Sequence, residues 1–366
     1  MKYNKFDMKV LVVFNHPAPY KVKLFNLLAH KIDLDVIFEL KKEKNRTESF
    51  YKFNKYNFNV IKLRLHPLGK ENVYGGALKR YIKKNYQKYD YIIMNGYSHF
   101  AEMSAIKMMQ KRNISYILMI NGGVIHQENR FKKSLKSKLI SSASMYFSPN
   151  LESNKYLEYY GVDPSKIRVY RYSNIMNKEV VDKPLDEEVK NQICLKYHLP
   201  YGKIFINPGQ FIPRKNNEQL LSIFKNRQET LLLVGRGPLQ RKYEKYIKQN
   251  NIHNIFIMDY LDEHQIKEVM KCATALITLS KEDIFGHTVL EALGNGLPVI
   301  SSDKVVSSLE MIKNGVNGYI VSLEKEDEIN DAIDNVVHLD FNDIVKSVNN
   351  HTIEYTNEDI LKNLEK

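Results

Sequence analysis

Residues 280–300 read SKEDIFGHTVLEALGNGLPVI, which predicts a polar loop, a helix that begins near Gly286, and an apolar strand. The first turn of such a helix carries N–H groups without helical partners and the positive end of the helix dipole. Both features favour binding of phosphate oxygens. The predicted phosphate site therefore lies at Gly286, His287 and Thr288.

Two carboxylates flank this predicted phosphate site. Glu291 follows His287 by four residues, so it projects from the same helix face one turn deeper, and Asp283 lies on the preceding loop. Because a carboxylate only accepts hydrogen bonds, the two groups suit the hydroxyls of a ribose and a sugar on either side of a diphosphate. A capped helix with an acidic first turn is the alternative, and spacing alone leaves both interpretations open.

The segment resembles the E-x7-E signature of the retaining, nucleotide-sugar-dependent glycosyltransferases of family 4. Glu291 matches the second Glu of that signature, and Asp283 stands where the first Glu is usual, with a side chain one methylene shorter. The resemblance implies an α/β protein with the GT-B fold, in which two Rossmann-like domains have parallel sheets facing a central cleft. It also implies that Asp283 and Glu291 act at the reacting sugar.

Residues 208–217, PGQFIPRKNN, extend the resemblance. Family 4 enzymes have here a Gly-Arg…Lys-Gly stretch whose two cations hold the donor diphosphate. Lys215 matches the Lys, Gln210 replaces the Arg, and Asn216 replaces the following Gly. The adjacent Arg214 could supply the missing charge.

The Gly235-Arg236-Gly237-Pro238 turn resembles the family's G-x-G-P turn, where the backbone lies close to the nucleotide base. Together the three motifs extend the resemblance over residues 203–322. The donor-binding residues implied are Gly209, Gln210, Arg214, Lys215, Gly235, Gly237, Gly286, His287, Thr288 and Glu291.

The cations have a clear chemical task. Cleavage of an anomeric C–O bond leaves negative charge on the departing diphosphate, and fixed donors stabilise that charge. A metal ion that did this work would need a ligand pair such as Asp-x-Asp, and the literal match at residues 33–35 is interpreted as a solvated turn. We therefore expect no metal and no cofactor, with a nucleoside-diphosphate sugar as the donor substrate.

The first half of the chain contains a second resemblance. Residues 119–128, MINGGVIHQE, resemble a strand followed by a Gly-Gly loop in capsular and exopolysaccharide glycosyltransferases of the family, and Tyr172-Ser173-Asn174 resembles the same subgroup. Many relatives place a His at the end of that strand, where this chain has Asn121. His126 could act from the loop instead, or it could be a surface histidine. The candidate catalytic residues are therefore Lys215, Asp283, Glu291 and His126.

Length and periodicity predict two domains. A chain of 366 residues is too long for one core, and short apolar strands alternate with helical patterns in both halves. We predict an N-terminal acceptor-binding domain over residues 1–177, a linker over 178–200 and a nucleotide-sugar-binding domain over 201–340. The resemblance implies that residues 341–366 form a C-terminal helix crossing back to the first domain.

The net charge of +13 calls for an anionic partner. No nucleic-acid-binding motif is present, so an anionic membrane surface is the better candidate, contacted through residues 130–138. A helix there would place Phe131, Leu135 and Leu139 on one stripe between lysines, as in an interfacial helix. The alternative is a stripe that packs on its own domain.

The sequence favours a cytoplasmic protein, with association with the inner face of the cell membrane left open. No secretory signal and no run of about 18 apolar residues is present. Cys194 and Cys272 have no CxxC spacing and are expected to be free buried thiols.

The leading functional hypothesis is a metal-independent, retaining glycosyltransferase of hexosyltransferase type. Its acceptor would be a glycan or lipid-linked oligosaccharide in the biosynthesis of a cell-surface polysaccharide, such as a capsule or an exopolysaccharide. The departures at Gln210, Asn216 and Asp283 motivate an alternative, a non-catalytic GT-B subunit that binds another glycosyltransferase. A nucleotide-sugar epimerase would need an acid–base pair that the sequence does not identify. Donor sugar, base, acceptor and linkage stay open.

Overall fold

The computed structural model describes residues 8–42, 48–51, 55–69, 72–200 and 202–365. The chain divides into two compact units. The first unit contains Met1–Tyr172 and Ile353–Lys366, and the second contains Ser173–Thr352.

The first unit is built on a seven-stranded sheet with the order β3-β2-β1-β6-β7-β8-β9, in which all neighbouring strands are parallel. Strands β4 and β5 form a separate antiparallel pair. The strands are β1 (Lys9–Phe14), β2 (Asp33–Phe38), β3 (Asn59–Val60), β4 (His66–Leu68), β5 (Asn72–Tyr74), β6 (Tyr91–Met94), β7 (Ile117–Met119), β8 (Met145–Ser148) and β9 (Ile167–Val169).

Five helices follow these strands in the first unit. They are α1 (Pro19–Leu28), α2 (Ala77–Asn85), α3 (Phe100–Lys111), α4 (Arg130–Ile140) and α5 (Leu151–Tyr159). Strand β1, third in the sheet, is buried at every residue from Val10 to Phe14, as expected for a parallel strand covered on both faces. The alternation of strands and helices predicted for this half is present, but β4, β5 and β9 have only three residues each, too few to show a periodicity in the sequence.

Helix α4 exposes most of its apolar stripe. Phe131 is 83% exposed and Leu135 39% exposed, whereas Leu139 is buried. Lys132 and Lys136 both form ion pairs with Glu128. The stripe therefore packs on its own domain only in the last turn of the helix.

The second unit contains a six-stranded parallel sheet with the order β12-β11-β10-β13-β14-β15. Its strands are β10 (Ile204–Pro208), β11 (Thr230–Val234), β12 (Ile255–Met258), β13 (Ala275–Thr278), β14 (Val299–Ser302) and β15 (Gly318–Val321). The alternation of strands and helices predicted for this half is present.

Eight helices complete the second unit. They are α6 (Glu187–Lys196), α7 (Asn217–Phe224), α8 (Gln240–Gln249), α9 (Glu263–Cys272), α10 (His287–Gly294), α11 (Val306–Met311), α12 (Glu326–Asn335) and α13 (Phe341–Lys346). Helix α6 lies in the segment predicted as a linker and packs against α9. Cys194 on α6 and Cys272 on α9 are free and half-buried, and burial, with the Cys194 thiol as a neighbour, raises the pKa of Cys272 to about 12.

The last helix, α14 (Ile353–Leu364), belongs to the first unit. Two parallel hydrogen bonds of 2.7 Å join the Arg171 guanidinium to the Asp359 carboxylate on this helix. The Tyr91 hydroxyl donates to the carbonyl oxygen of Leu364 at 2.8 Å. Residues 341–366, for which one C-terminal helix was predicted, thus contain two helices, α13 in the second unit and α14 in the first. No helix of the described ranges is both long and apolar enough to span a bilayer.

A buried lysine lies beside strand β1 of the first unit. Lys21 on α1 is 1% exposed, and its Nζ donates to Asn121 Oδ1 at 3.0 Å and lies 4.6 Å from the centre of the Tyr172 ring. Burial lowers the pKa of Lys21 to about 7. No sequence pattern predicted this burial, because a lysine in an amphipathic helix is usually solvated.

We predict that Lys21→Met stabilises the protein most at pH 7 and below. At these pH values the folded wild type holds the buried Lys21 ammonium, and its charge lowers the free energy of unfolding. Between pH 7 and about 10.5 Lys21 stays protonated in the unfolded chain but not in the folded one, so this destabilisation decreases as pH rises. The penalty amounts to about 1.4 kcal/mol for each pH unit between the two pKa values. Urea unfolding of wild type and Lys21→Met from pH 6 to 10 measures it.

Exposed Lys31 provides the matched control, and Lys31→Met should follow the wild-type curve. A constant difference in unfolding free energy between wild type and Lys21→Met across this pH range would contradict the buried charge.

Candidate functional site

Three residues predicted to bind the donor come together in the second unit. Lys215 ends a short 3-10 turn after β10, and Asp283 lies on the loop after the neighbouring parallel strand β13. The Lys215 ammonium donates to Asp283 Oδ2, and Arg214 Nη1 lies 3.9 Å from the same oxygen. Arg214 also donates to the carbonyl oxygen of Glu282 at 3.2 Å.

The two cations control the charge of Asp283. Burial alone would raise the pKa of this carboxyl, but Lys215, and after it Arg214, hold the pKa below its ordinary value. Asp283 is therefore ionised at neutral pH and acts only as a hydrogen-bond acceptor.

The backbone at Asn216 explains one departure from the family pattern. Asn216 has φ 54° and ψ 33°, which is the left-handed conformation that glycine adopts most easily. Asparagine is among the few other residues that tolerate it. The Asn216 amide donates to Gln219 Oε1 at 2.6 Å. The Gly-to-Asn change thus keeps the turn that presents Lys215.

Glycines 235 and 237 allow two loops to pack backbone against backbone. A Cβ at Gly235 would lie 2.0 Å from the carbonyl oxygen of Gly209, and one at Gly237 would lie 2.4 Å from that of Phe211. The Phe211 N–H donates to the Arg236 carbonyl oxygen at 2.9 Å. The G-x-G spacing therefore has a structural task here, which is to hold the loop after β10 against the loop after β11.

Gly286 begins helix α10 in the left-handed conformation, with φ 79° and ψ 59°. A Cβ there would lie 2.6 Å from Val305 Cγ1 and 2.8 Å from Ser307 Oγ. Gly286 has no side chain to cap the first turn, which contains the half-buried His287 and Thr288. The turn therefore has the form expected of a phosphate site.

Glu291 lies about 6 Å further along α10 than His287, at 1.5 Å per residue. Its Oε1 accepts a hydrogen bond of 2.6 Å from the amide of Asn174. Asn174 is 6% exposed, and its Oδ1 is buried without a hydrogen-bond partner among the described residues. The sequence analysis included Asn174 only as part of a resembling tripeptide, because a contact across a sequence separation of 117 leaves no local pattern.

The remaining candidates belong to the other unit or differ in character from this group. His126 is exposed on the loop between β7 and α4 of the first unit, whereas the other candidates belong to the second. Gln210 is half-buried, and its carbonyl oxygen accepts from the Ile212 N–H at 3.0 Å. Gly209 lies under the Lys215 side chain, where an added Cβ would be 3.6 Å from Lys215 Cε.

One comparison with known families covers most of the second unit. Residues 199–358 match the family of glycosyl transferases group 1. An uncharacterized glycosyltransferase of Methanocaldococcus jannaschii is 24% identical over 158 residues, which cover 41% of this chain and 45% of that protein. The poly(ribitol-phosphate) alpha-N-acetylglucosaminyltransferase of Staphylococcus aureus is 21% identical over 287 residues, which cover 76% of this chain and 50% of that one. The chain thus spans half or less of these curated relatives.

Solved structures show the fold of the whole chain. The crystal structure of Anabaena HepE in complex with UDP matches with a TM-score of 0.77 and 14% identity, over 98% of this chain and all of that one. The chain has the GT-B fold, with two Rossmann-like units. The predicted fold class is confirmed.

We predict that Gly235→Ala disrupts the paired loops. A methyl group 2.0 Å from the Gly209 carbonyl oxygen, at a φ of 146°, cannot be accommodated without moving the backbone. We expect a loss of roughly 1–3 kcal/mol in unfolding free energy, measured in urea. Gly209→Ala is the control, because its methyl group would make an ordinary contact. Equal stability of the two variants would contradict the packing role of Gly235.

Proposed function

We propose, from the match of residues 199–358 to the glycosyl transferases group 1 family, that the chain is a retaining glycosyltransferase. It transfers a hexosyl group from a nucleoside-diphosphate sugar to a glycan or lipid-linked oligosaccharide in the biosynthesis of a cell-surface polysaccharide such as a capsule or exopolysaccharide. The observation that carries the proposal is the grouping of Lys215, Arg214 and Asp283.

Each group has a task in this reaction. The diphosphate binds at the first turn of α10, and Lys215 and Arg214 stabilise the negative charge that grows as the anomeric C–O bond breaks. Asp283 and Glu291 accept hydrogen bonds from sugar and ribose hydroxyls. Asn174 orients Glu291 through their hydrogen bond. His126 is proposed to act on the acceptor side, from the first unit.

The relatives suggest which donor to test first. HepE was solved with UDP, and the Staphylococcus aureus relative is named as an N-acetylglucosaminyltransferase. We therefore propose a UDP-sugar as donor, with UDP-glucose and UDP-N-acetylglucosamine as the first candidates. GDP- and ADP-sugars complete the thermal-shift screen, in which a ligand that binds the folded state raises its unfolding temperature.

We expect Lys215→Ala and Glu291→Gln to lose sugar transfer while staying folded. Removal of one donor to the leaving group costs roughly 10²- to 10³-fold in kcat. Glu291→Gln should weaken nucleotide binding as well. Asp283→Asn should impair sugar-dependent turnover more than binding of bare UDP, because it also releases Lys215 for the diphosphate. Transfer is measured as release of the nucleoside diphosphate from the best donor of the screen.

Lys281→Ala is a suitable control, since Lys281 is an exposed cation on the same loop as Asp283. Full transfer by both Lys215→Ala and Glu291→Gln would refute the assignment.

We further propose that the donor site uses no metal, because two cations already face the diphosphate. UDP should then bind with equal affinity in EDTA and in Mg²⁺, and a strict requirement for the ion would contradict this.

A non-catalytic subunit of another glycosyltransferase is the second candidate function. The observation in its favour is the uncharged Gln210, where the family pattern has a cation. Under this alternative the isolated chain neither transfers nor hydrolyses any nucleotide sugar, even one that raises its unfolding temperature.

We also propose that residues 130–138 contact the cytoplasmic face of an anionic membrane. Phe131 is almost fully exposed on α4, and Lys132, Lys133, Lys136 and Lys138 surround the stripe that it begins. An exposed aromatic residue among lysines is typical of interfacial helices. A lipid-linked acceptor would be presented at such a surface.

We predict that Phe131→Ser weakens binding to phosphatidylglycerol-containing vesicles, measured by co-sedimentation at low and physiological salt. Leu195→Ser is the matched control, since Leu195 is 63% exposed on α6 of the second unit. If Phe131→Ser bound these vesicles as strongly as wild type, residues 130–138 would not be the membrane contact. The same would follow if wild type bound neutral vesicles as strongly as anionic ones.

A further inference from the structure

We propose that Glu39, His99 and Glu102 of the first unit form a binding site for one divalent transition-metal ion of the Zn²⁺ or Mn²⁺ type. This site is distinct from the donor residues, all of which lie in the second unit.

The parallel sheet brings the three residues to one edge. Glu39 directly follows β2, and His99 precedes helix α3, which follows β6 in the chain. Strand β1 lies between β2 and β6, and the carboxyl ends of these parallel strands share one edge of the sheet. Glu102 lies in the first turn of α3 and accepts the His99 N–H at 2.9 Å through Oε2.

The distances suit a shared ion. One potential ligand atom from each residue lies within 4.8 Å of the other two, and His99 Nδ1 is 2.5 Å from Glu39 Oε2. Metal bonds of about 2.0–2.2 Å put two ligands of one ion at most roughly 4 Å apart. Small side-chain movements are therefore enough to place all three around a single ion.

The site is buried, and its two carboxylates have only one imidazole beside them to balance their charge. The Glu39 side chain is fully buried and that of His99 is 15% exposed, while Glu102 is 2% exposed. Within the described ranges, neither carboxylate has a lysine or arginine as an ion-pair partner, and His99 is the only ionic partner of Glu39. Two buried carboxylates beside one imidazole require a further cation or a proton.

One buried carboxylate oxygen of the site accepts no hydrogen bond from the described residues. Glu39 Oε1 is buried and has no hydrogen-bond partner in the described part of the chain, although the carboxylate is turned towards His99 by the contact of its other oxygen. Gly96 leaves room for the second carboxylate, since a Cβ there would lie 2.3 Å from Glu102 Oε1. An unused buried acceptor and a backbone shaped around the other carboxylate favour a built cation site.

The donor set indicates the class of ion. One imidazole nitrogen and carboxylate oxygens, with no sulfur, suit Zn²⁺ or Mn²⁺ better than the all-oxygen sites of Ca²⁺ and Mg²⁺. Three protein ligands leave a position for water, and a bound ion would tie the end of β2 to the start of α3.

The test uses the full chain, freed of any affinity tag and stripped with EDTA. Calorimetric titration with ZnCl₂ and with MnCl₂ should show one ion per chain, and the bound ion should raise the unfolding temperature. His99→Gln and Glu39→Gln should each weaken binding by at least about tenfold. His30→Gln, which changes an exposed histidine of the same unit, should bind as wild type.

Co²⁺ in the wild type keeps the test decisive if the variants fail to fold. Visible d–d bands without a sulfur charge-transfer band would support a nitrogen–oxygen site, and a sulfur band would assign the ion to the cysteines instead. If wild type bound neither ion, or if folded His99→Gln bound the ions as wild type does, the proposal would be overturned. The three side chains would then be a hydrogen-bonded acid–histidine network in which a proton balances the charge. UDP titrations of the stripped protein report on the donor site separately.

Discussion

Parallel pairing of short buried strands is the constraint on which the rest of the structure depends. In each of the two parallel sheets all carboxyl ends lie at one edge, so loops that are far apart in sequence meet there. In the second unit this places the loop after β10 beside the loop after β13, and Lys215 beside Asp283 across 68 residues. In the first unit it brings Glu39 and His99 together across 60 residues.

Close backbone approach is the second requirement, and glycine meets it at specific points. Gly235 and Gly237 let the loops after β10 and β11 touch, and Gly286 turns the chain into α10 against Val305 and Ser307. These positions hold the cations and the helix start in place without contributing any side chain. A motif that resembles a ligand-binding signature is thus also a packing signature, and the two tasks select the same residues.

The sequence predicted the alternation of elements well, because buried parallel strands appear as uninterrupted apolar runs. It failed where elements were too short for periodicity, as in β9, and where helical and polar patterns merged, as in α6. A resemblance supplied the candidate donor residues, but the sequence did not reveal their partners. The contact of Asn174 with Glu291 and the grouping of Glu39, His99 and Glu102 depend on three-dimensional proximity that no local spacing encodes.

The two carboxylate groupings differ in how their charge is balanced, and this difference indicates what each can bind. Asp283 faces two cations, Lys215 and Arg214, so one positive charge of this grouping is not balanced and can bind an anion. Glu39 and Glu102 face one imidazole, so their grouping has negative charge to offer a cation. A diphosphate and a metal ion, which meet in one site in many nucleotide-dependent enzymes, would then be bound by different units of this chain.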